Sequence, residues 1–167
     1  AQWIQFEPQN SRKEFSINYA LSNRNYSNRI GLHYATGLTI SGWSFVAGLN
    51  RRWAQEGFIE GTSYDAKGFY LGIGKSISNC QSISLIIIKA PVNRGKSSPG
   101  TKEVYDLNSD HYYNSYWGFQ EGKKRNSRQV VSNIPMALLN YSWNIRDNIK
   151  LQAGLMGLSG KYSNTRI

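Results

Sequence analysis

The sequence predicts an all-β fold of about seven antiparallel, up-and-down strands, and three observations support that class. Apolar and polar residues alternate with a period of two along most of the chain, which places every second side chain on one face of a strand. Apolar residues at helical spacing are not sustained anywhere, so no convincing helix is expected. The 167 residues correspond to one domain, and a 40% hydrophobic content excludes wholesale disorder.

The alternation defines the strands in chain order. In the first strand Phe15, Ile17 and Tyr19 alternate with small and polar neighbours, and in the fifth Ile86 and Ile88 blur the pattern. The expected strands are 12–21, 28–35, 43–50, 68–74, 83–88, 137–145 and 149–155.

The two faces of these strands differ in a way that predicts the type of sheet. One face carries Trp, Tyr, Phe, Leu and Ile without a charge in mid-strand, and the other carries Gly, Ser, Asn, Gln and a few Arg or Lys. A soluble sandwich turns a face with many charges towards water, whereas a transmembrane β-barrel has an apolar lipid face and a polar lumen. Aromatic residues near strand ends suit interfacial girdles; these are Tyr34, Trp43, Trp53, Tyr141 and Trp143.

The connections between strands alternate in length. Those at 36–42, 76–81 and 146–148 are short, 54–65 is longer, and about 90–127 is very long; only the connection at 23–27 departs from this order. Outer-membrane barrels have short periplasmic turns and longer extracellular loops. Because such barrels have an even number of strands, residues 1–167 are expected to form one partial barrel domain of a larger protein.

Composition and motifs argue against several other functions. The net charge of +10 is scattered between strands rather than concentrated, so nucleic acid is not an expected partner. Cys80 is the only cysteine, and His33 and His111 are the only histidines, which leaves no disulfide framework and little for a metal site. Residues 72–76 and 95–97 imitate the end of a phosphate loop, but neither stretch has the required upstream glycine.

No catalytic residue, metal ligand or cofactor is therefore expected, and the protein is predicted not to be an enzyme. Glu56 and Glu60 form a pair of nearby carboxylates, yet the sequence places no proton donor or acceptor opposite them.

The aromatic stretch 111–120 is the candidate ligand-binding segment. Tyr112, Tyr113, Tyr116 and Trp117 are interleaved with amide and hydroxyl residues in the longest loop. Aromatic faces with hydrogen-bonding edges suit sugar, peptide or polycyclic ligands. The competing interpretation is that these aromatic residues form the loop's own small core.

Several stretches resemble the barrel of TonB-dependent outer-membrane receptors of the Bacteroidetes type. Their order and spacing cover most of the chain, from about residue 13 to residue 141. The main stretches are 23–29 (NRNYSNR), 34–37 (YATG), 42–45 (GWSF), 51–62 (RRWAQEGFIEGT), 90–96 (APVNRGK), 103–107 (EVYDL), 112–114 (YYN) and 117–126 (WGFQEGKKRN).

The resemblance implies a 22-stranded barrel with an N-terminal plug domain in its lumen, located in the cell outer membrane. Such a receptor imports a nutrient with energy relayed by TonB. The implied partners are the plug domain and the rest of the barrel, TonB through the plug, membrane lipid and lipopolysaccharide; a surface lipoprotein lid is left open. This chain carries no plug and no TonB-contacting segment, so the resemblance assigns the parent molecule rather than an activity of these residues.

Two alternatives stay open at this point. The basic residues Lys123, Lys124, Arg125 and Arg128 suit lipopolysaccharide phosphates, plug carboxylates or plain solvation. The whole chain, in turn, has a second interpretation, a soluble β-sandwich module that binds carbohydrate or protein through its aromatic-rich loops.

Overall fold

The structure, a computed structural model, describes residues 7–166 of the chain. In this part twelve strands, one α-helix and a one-turn 3-10 helix at Pro8–Asn10 are formed. In chain order the elements are β1 (Glu14–Leu21), β2 (Asn28–Ala35), β3 (Trp43–Ala54), β4 (Tyr64–Ser78), β5 (Gln81–Lys89), β6 (Val92–Gly95), α1 (Lys102–Asn108), β7 (Trp117–Gln120), β8 (Lys123–Asn126), β9 (Gln129–Asn133), β10 (Met136–Arg146), β11 (Ile149–Leu158) and β12 (Lys161–Asn164).

Ten of these strands form one antiparallel sheet. Its main path is β1-β2-β3-β4-β5-β10-β11, while β6, β9 and β12 pair with one another beyond it and β6 also pairs with β4. Each of these three short strands continues a long one across a break, and two of the breaks contain a proline, Pro91 or Pro135, which has no N–H for the ladder. The prediction of an all-β antiparallel fold is confirmed, with seven strand paths in the predicted order.

The long connection differs from the prediction in two ways. The strand continues through Val92–Gly95, so the loop occupies residues 96–128 rather than about 90–127. The expectation of no helix is wrong at Lys102–Asn108, which is α1. A helix of seven residues is under two turns long, too short for a periodic pattern. Local signals mark its ends instead, since Thr101 precedes it and Ser109 closes it with a left-handed φ of 51°.

The apolar side of the sheet is the exposed side. Phe15 is 67% exposed and Leu71 41%, and Phe45 and Leu139 are exposed as well. On the opposite side Val46 is 1% exposed, and Ser44, Ser84 and Ile86 are also buried. This is the reverse of a sheet in a soluble domain, where the apolar face is covered. We call these sides the apolar face and the polar face.

The polar face is buried largely by its own side chains. The Tyr70 ring lies over Gly48, and a Cβ at residue 48 would stand 2.1 Å from a ring carbon. Asn50 covers Gly68 in the same way. At the short-turn end the 3-10 helix contacts β3 and β4, and its Pro8 is buried. Glycine therefore lets side chains lie flat against the sheet.

One part of the polar face is apolar, which the strand pattern did not predict. Ile88, Met136 and Leu158 stand opposite one another on β5, β10 and β11. In the next row of the same face Ile86, Leu138 and Met156 are aligned. The alternation is therefore weaker on these three strands than on β1 to β4.

The hairpins at the short-turn end are staggered across the sheet. Trp43 begins β3 directly after the turn that joins β2 to β3, and it lies opposite Lys75 on β4. From Lys75, β4 continues three residues further to Ser78. Ser78 on β4 lies opposite Gln81 on β5, and Gln81 lies opposite Trp143 on β10. From Trp143, β10 continues three residues further to Arg146. With a rise of about 3.3 Å per residue and about 4.8 Å between strands, the line of turns crosses the strands at about 45°.

The sheet of residues 7–166 is open. β1 pairs only with β2, and β11 only with β10, so a row of backbone groups is unpaired at each edge. The helices of residues 7–166 include none with the length and apolar character needed to cross a bilayer.

Candidate ligand-contacting rim

Three loops meet at the end of the sheet opposite the staggered turns. They are residues 22–27, 55–63 and 96–128, and we call them together the rim. Backbone hydrogen bonds join the first two, because Phe58 N donates to Arg24 O at 3.1 Å. Gly57 N and Thr62 O close the base of the second loop at 2.7 Å. The loops of the rim are therefore held in place by backbone hydrogen bonds.

Asn114 fixes the middle of the long loop. Its side chain is 2% exposed. Its Nδ2 donates to Glu60 O at 2.8 Å and to Lys96 O at 3.4 Å, and its Oδ1 accepts from Ser98 N at 2.9 Å and Tyr116 N at 3.1 Å. A buried amide with all these partners stabilises one loop conformation.

Asn126 fixes the end of the same loop. It is also buried, and its Nδ2 donates to Gly61 O and to Lys96 O, both at 2.8 Å. Its Oδ1 accepts from Arg128 N at 2.8 Å. Lys96 O thus accepts a hydrogen bond from each of the two asparagines, and their bonds to Glu60 O and Gly61 O join the loops 55–63 and 96–128.

Lys124 adds a charged contact between the two loops. Its Nζ lies 2.7 Å from Glu56 Oε1 and 2.7 Å from Glu60 Oε1, and 4.2 Å from the centre of the Trp117 ring. We call this cluster the Lys124 tie. The sequence showed no proton donor or acceptor opposite the two carboxylates; in the fold the β7–β8 hairpin brings Lys124 to both.

The Lys124 tie shifts the protonation of its members. The Gly61 N–H donates to the Glu56 carboxylate, and this bond, followed by that from Lys124, holds the pKa of Glu56 below its ordinary value. The hydrogen bonds to Glu56 and then Glu60 raise the pKa of Lys124. A lysine whose pKa is raised holds its proton more firmly, so the arrangement suits an ion pair and not a proton-transfer site.

The four predicted ligand-binding residues divide into two pairs. Tyr116 lies under the Arg128 guanidinium, 5.1 Å from ring centre to Cζ, and Trp117 packs on Gly61. Tyr112 is 57% exposed and meets Phe58 edge to face at 5.8 Å, and Tyr113 is exposed as well. The packed pair, Tyr116 and Trp117, fits the interpretation as a loop core, and the exposed pair, Tyr112 and Tyr113, fits the interpretation as a ligand-binding surface. A binding role for these four residues stays a prediction.

Two concave regions of the rim have room for a ligand. A cavity of about 220 Å³ lies beneath the loops, with Asn25, Tyr64 and Arg94 among its lining residues. A groove of about 520 Å³ runs along residues 115–120 and 125–127, with Gln129 at its end. Both offer hydrogen-bonding groups beside aromatic rings, a combination that suits small polar ligands.

The other residues singled out by sequence are placed without forming a reactive cluster. His33 Nδ1 and the Tyr70 hydroxyl share a hydrogen bond on the polar face, and the His111 ring stacks edge to face on Tyr105. Cys80 is exposed in its turn as a free thiol. Over residues 7–166 the side chains of His, Cys, Asp and Glu do not gather in groups of three or more that would hold a metal.

The remaining basic residues of the hairpin stay near the surface. Arg125 donates to Gln120 Oε1 at 3.1 Å, and Lys123 is exposed. Sequence reasoning missed the role of Asn114 and Asn126 in the rim. Each accepts from the N–H two residues further on, which is a common local turn, but the partners that join the loops lie up to 65 positions away and leave no local signal.

The fold and the rim together define an antiparallel all-β protein with an exposed apolar face and a structured loop end. No protein-family model matches the chain, and neither a curated protein nor a solved structure shows significant similarity to it.

Proposed function

We propose that this chain is part of the barrel wall of a TonB-dependent outer-membrane receptor that imports a nutrient, with the rim as its extracellular, ligand-contacting end. The observation that carries the proposal is the exposure of the apolar face. Full burial of a Leu, Ile or Phe side chain contributes roughly 1.5–3 kcal/mol, so leaving such a face in water is costly. Contact with hydrocarbon removes that cost.

The dimensions of the sheet support a membrane crossing. A transmembrane β-strand needs about 9–11 residues at a tilt near 45°. β3, β10 and β11 have 12, 11 and 10 residues, and the staggered turns correspond to a similar tilt. On β3 and β4 the apolar band ends at the cations Arg51 and Lys67 on one side and at Lys75 beside Trp43 on the other.

The open edges support a larger barrel. Unpaired N–H and C=O groups in hydrocarbon cost several kcal/mol each. The edges at β1 and β11 would therefore need further strands on both sides, which a 22-stranded barrel supplies. The polar face would then line the lumen and meet the plug domain.

The alternative, a soluble sandwich that binds carbohydrate or protein, would need a second sheet over the apolar face. The second sheet formed by residues 7–166 is the two-stranded β7–β8 hairpin, which belongs to the rim. The exposed aromatic residues suit either function, but the exposed apolar face favours the membrane.

Fractionation of cells that express the protein tests the proposal. An antibody raised against a peptide of residues 100–113, which include the exposed α1, detects the protein in each fraction. We expect the signal in the outer-membrane fraction, on a polypeptide much larger than the 18.9 kDa of this chain, with mobility in SDS that changes on heating. A signal confined to the soluble fraction would overturn the proposal.

A further inference from the structure

A groove of about 420 Å³ lies on the apolar face across β2 to β5. Its apolar lining comes from Ile30, Leu32, Leu49, Phe69 and Pro91. Three cations line it as well, namely Arg51, Lys67 and Lys89. The groove is therefore an apolar depression on the lipid-facing surface of the proposed barrel wall, with three cationic side chains at its edge.

The register brings the three cations together. Arg51 on β3 stands directly opposite Lys67 on β4. Lys89 on β5 stands opposite Phe69, two residues along β4 from Lys67. Residues directly opposite in a sheet have Cβ atoms about 5 Å apart, and diagonal neighbours are about 7–8 Å apart, so one phosphate group can reach all three side chains.

The positive charge is only partly neutralised. Asp65 Oδ1 lies 2.9 Å from Arg51 Nε, and Asp65 Oδ2 lies 3.7 Å from Lys67 Nζ. Lys89 has no ion pair within residues 7–166. One carboxylate thus stands against three cations, and the side chains of Arg51 and Lys67 are 49% and 60% exposed.

We propose that this groove binds a phosphate-bearing anionic membrane lipid, with one acyl chain between Leu32, Leu49 and Phe69 and the phosphate held by Arg51, Lys67 and Lys89. Long cationic side chains at the edge of an apolar band extend towards the headgroup layer, and Arg and Lys form charge-assisted hydrogen bonds with phosphate oxygens. The inference rests on the proposed function, because it needs the apolar face to meet lipid.

A lipid is favoured over a soluble anion by the position of the groove. Its floor continues the exposed apolar face, so a water-soluble phosphate would leave the floor uncovered. A lipid covers the floor and neutralises the cations at once.

Native mass spectrometry of the purified parent protein tests the site. The protein is released from membranes in mild detergent and offered phosphatidylglycerol or, in a parallel sample, diacylglycerol without a phosphate. We expect phosphatidylglycerol to be retained in preference. The triple variant Arg51→Gln/Lys67→Gln/Lys89→Gln should bind it about 125-fold more weakly, which is about 5-fold for each of the three charges removed at a membrane surface.

The matched control removes cations that lie away from the apolar face, Lys102→Gln/Lys150→Gln, and should retain the lipid. If the triple variant does not accumulate, Lys89→Gln alone should weaken retention about 5-fold. Equal retention by wild type and either groove variant, an equal loss in the control, or no preference over diacylglycerol would overturn the lipid site while leaving the membrane proposal intact. A wild-type protein found only in the soluble fraction would overturn both.

Discussion

The Trp117 side chain occupies the position that a side chain at residue 61 would need. A Cβ built on Gly61 would stand 2.3 Å from Trp117 Cβ and Cγ, and Gly61 has a φ of +74°, a conformation that glycine adopts without strain. Trp117 belongs to the long loop and Gly61 to the loop between β3 and β4. The close packing of these two residues therefore depends on the absence of a side chain.

Gly61→Ala should separate the two loops. The added methyl group meets Trp117 and the positive φ is strained for alanine, so we expect the rim to lose about 1–3 kcal/mol of local stability. Limited trypsin digestion of intact cells, followed at Lys123 and Arg125, should show faster cleavage than in wild type. Gly118→Ala is the matched control, since a Cβ there meets nothing within 4 Å; equal cleavage of Gly61→Ala and wild type would contradict the packing described.

Lys124→Met should loosen the rim between about pH 4.5 and pH 10.5. The lowered pKa of Glu56 means that its contribution is complete above the ordinary value of 4.5 and is lost as the pH falls through the shifted value. The raised pKa of Lys124 means that its contribution is complete below its ordinary value of 10.5 and is lost as the pH rises through the shifted value. Wild type and variant should therefore differ at neutral pH and converge in acid.

Acrylamide quenching of Trp117 fluorescence, obtained as the difference from a Trp117→Phe variant, measures this contact. Quenching should increase in wild type as the pH falls below 4.5, and in Lys124→Met it should be high throughout. Lys123→Met removes a neighbouring charge outside the tie and should behave as wild type; a pH-independent wild type would argue against the tie.

The proposed function predicts that Tyr112→Ala/Tyr113→Ala reduces nutrient uptake without reducing the amount of protein in the membrane. Both rings are exposed, so their loss removes ligand contact area at little structural cost. Uptake of labelled nutrient by intact cells, normalised to receptor level, is the measurement. Unchanged uptake at equal receptor level would assign no binding role to this pair.

Leu71→Arg distinguishes a lipid face from a wet one. Leu71 is exposed in the middle of the apolar face, opposite Ala47 and Ile87. An exposed residue in water tolerates such a change within about 0.5 kcal/mol, whereas arginine at the bilayer midplane costs about 2–4 kcal/mol. We expect Leu71→Arg to lower the outer-membrane level of the protein and the polar-face variant Ser16→Arg to leave it unchanged; equal levels would count against lipid contact.

The sheet could be predicted from the sequence because strand alternation is local. Phe15, Ile17 and Tyr19 share a face whatever lies elsewhere in the chain, and the turns follow from where such runs end. The rim could not be predicted in this way. Asn126 finds its partner at Gly61 and Lys124 finds Glu56, and contacts over such separations depend on how the loops fold back. Ile86 already blurs the alternation in the sequence, but its alignment with Leu138 and Met156 on the polar face shows only once the register is known.

The carbonyl of Lys96 accepts both Asn114 and Asn126, and this closes the long loop into a ring at its base. The outer arc of this ring, residues 99–113, extends beyond the strands, with Tyr112 packed on Phe58 of the neighbouring loop. Length and composition of that arc can change without disturbing strand pairing, so the surface offered to the outside can diversify while the sheet stays the same.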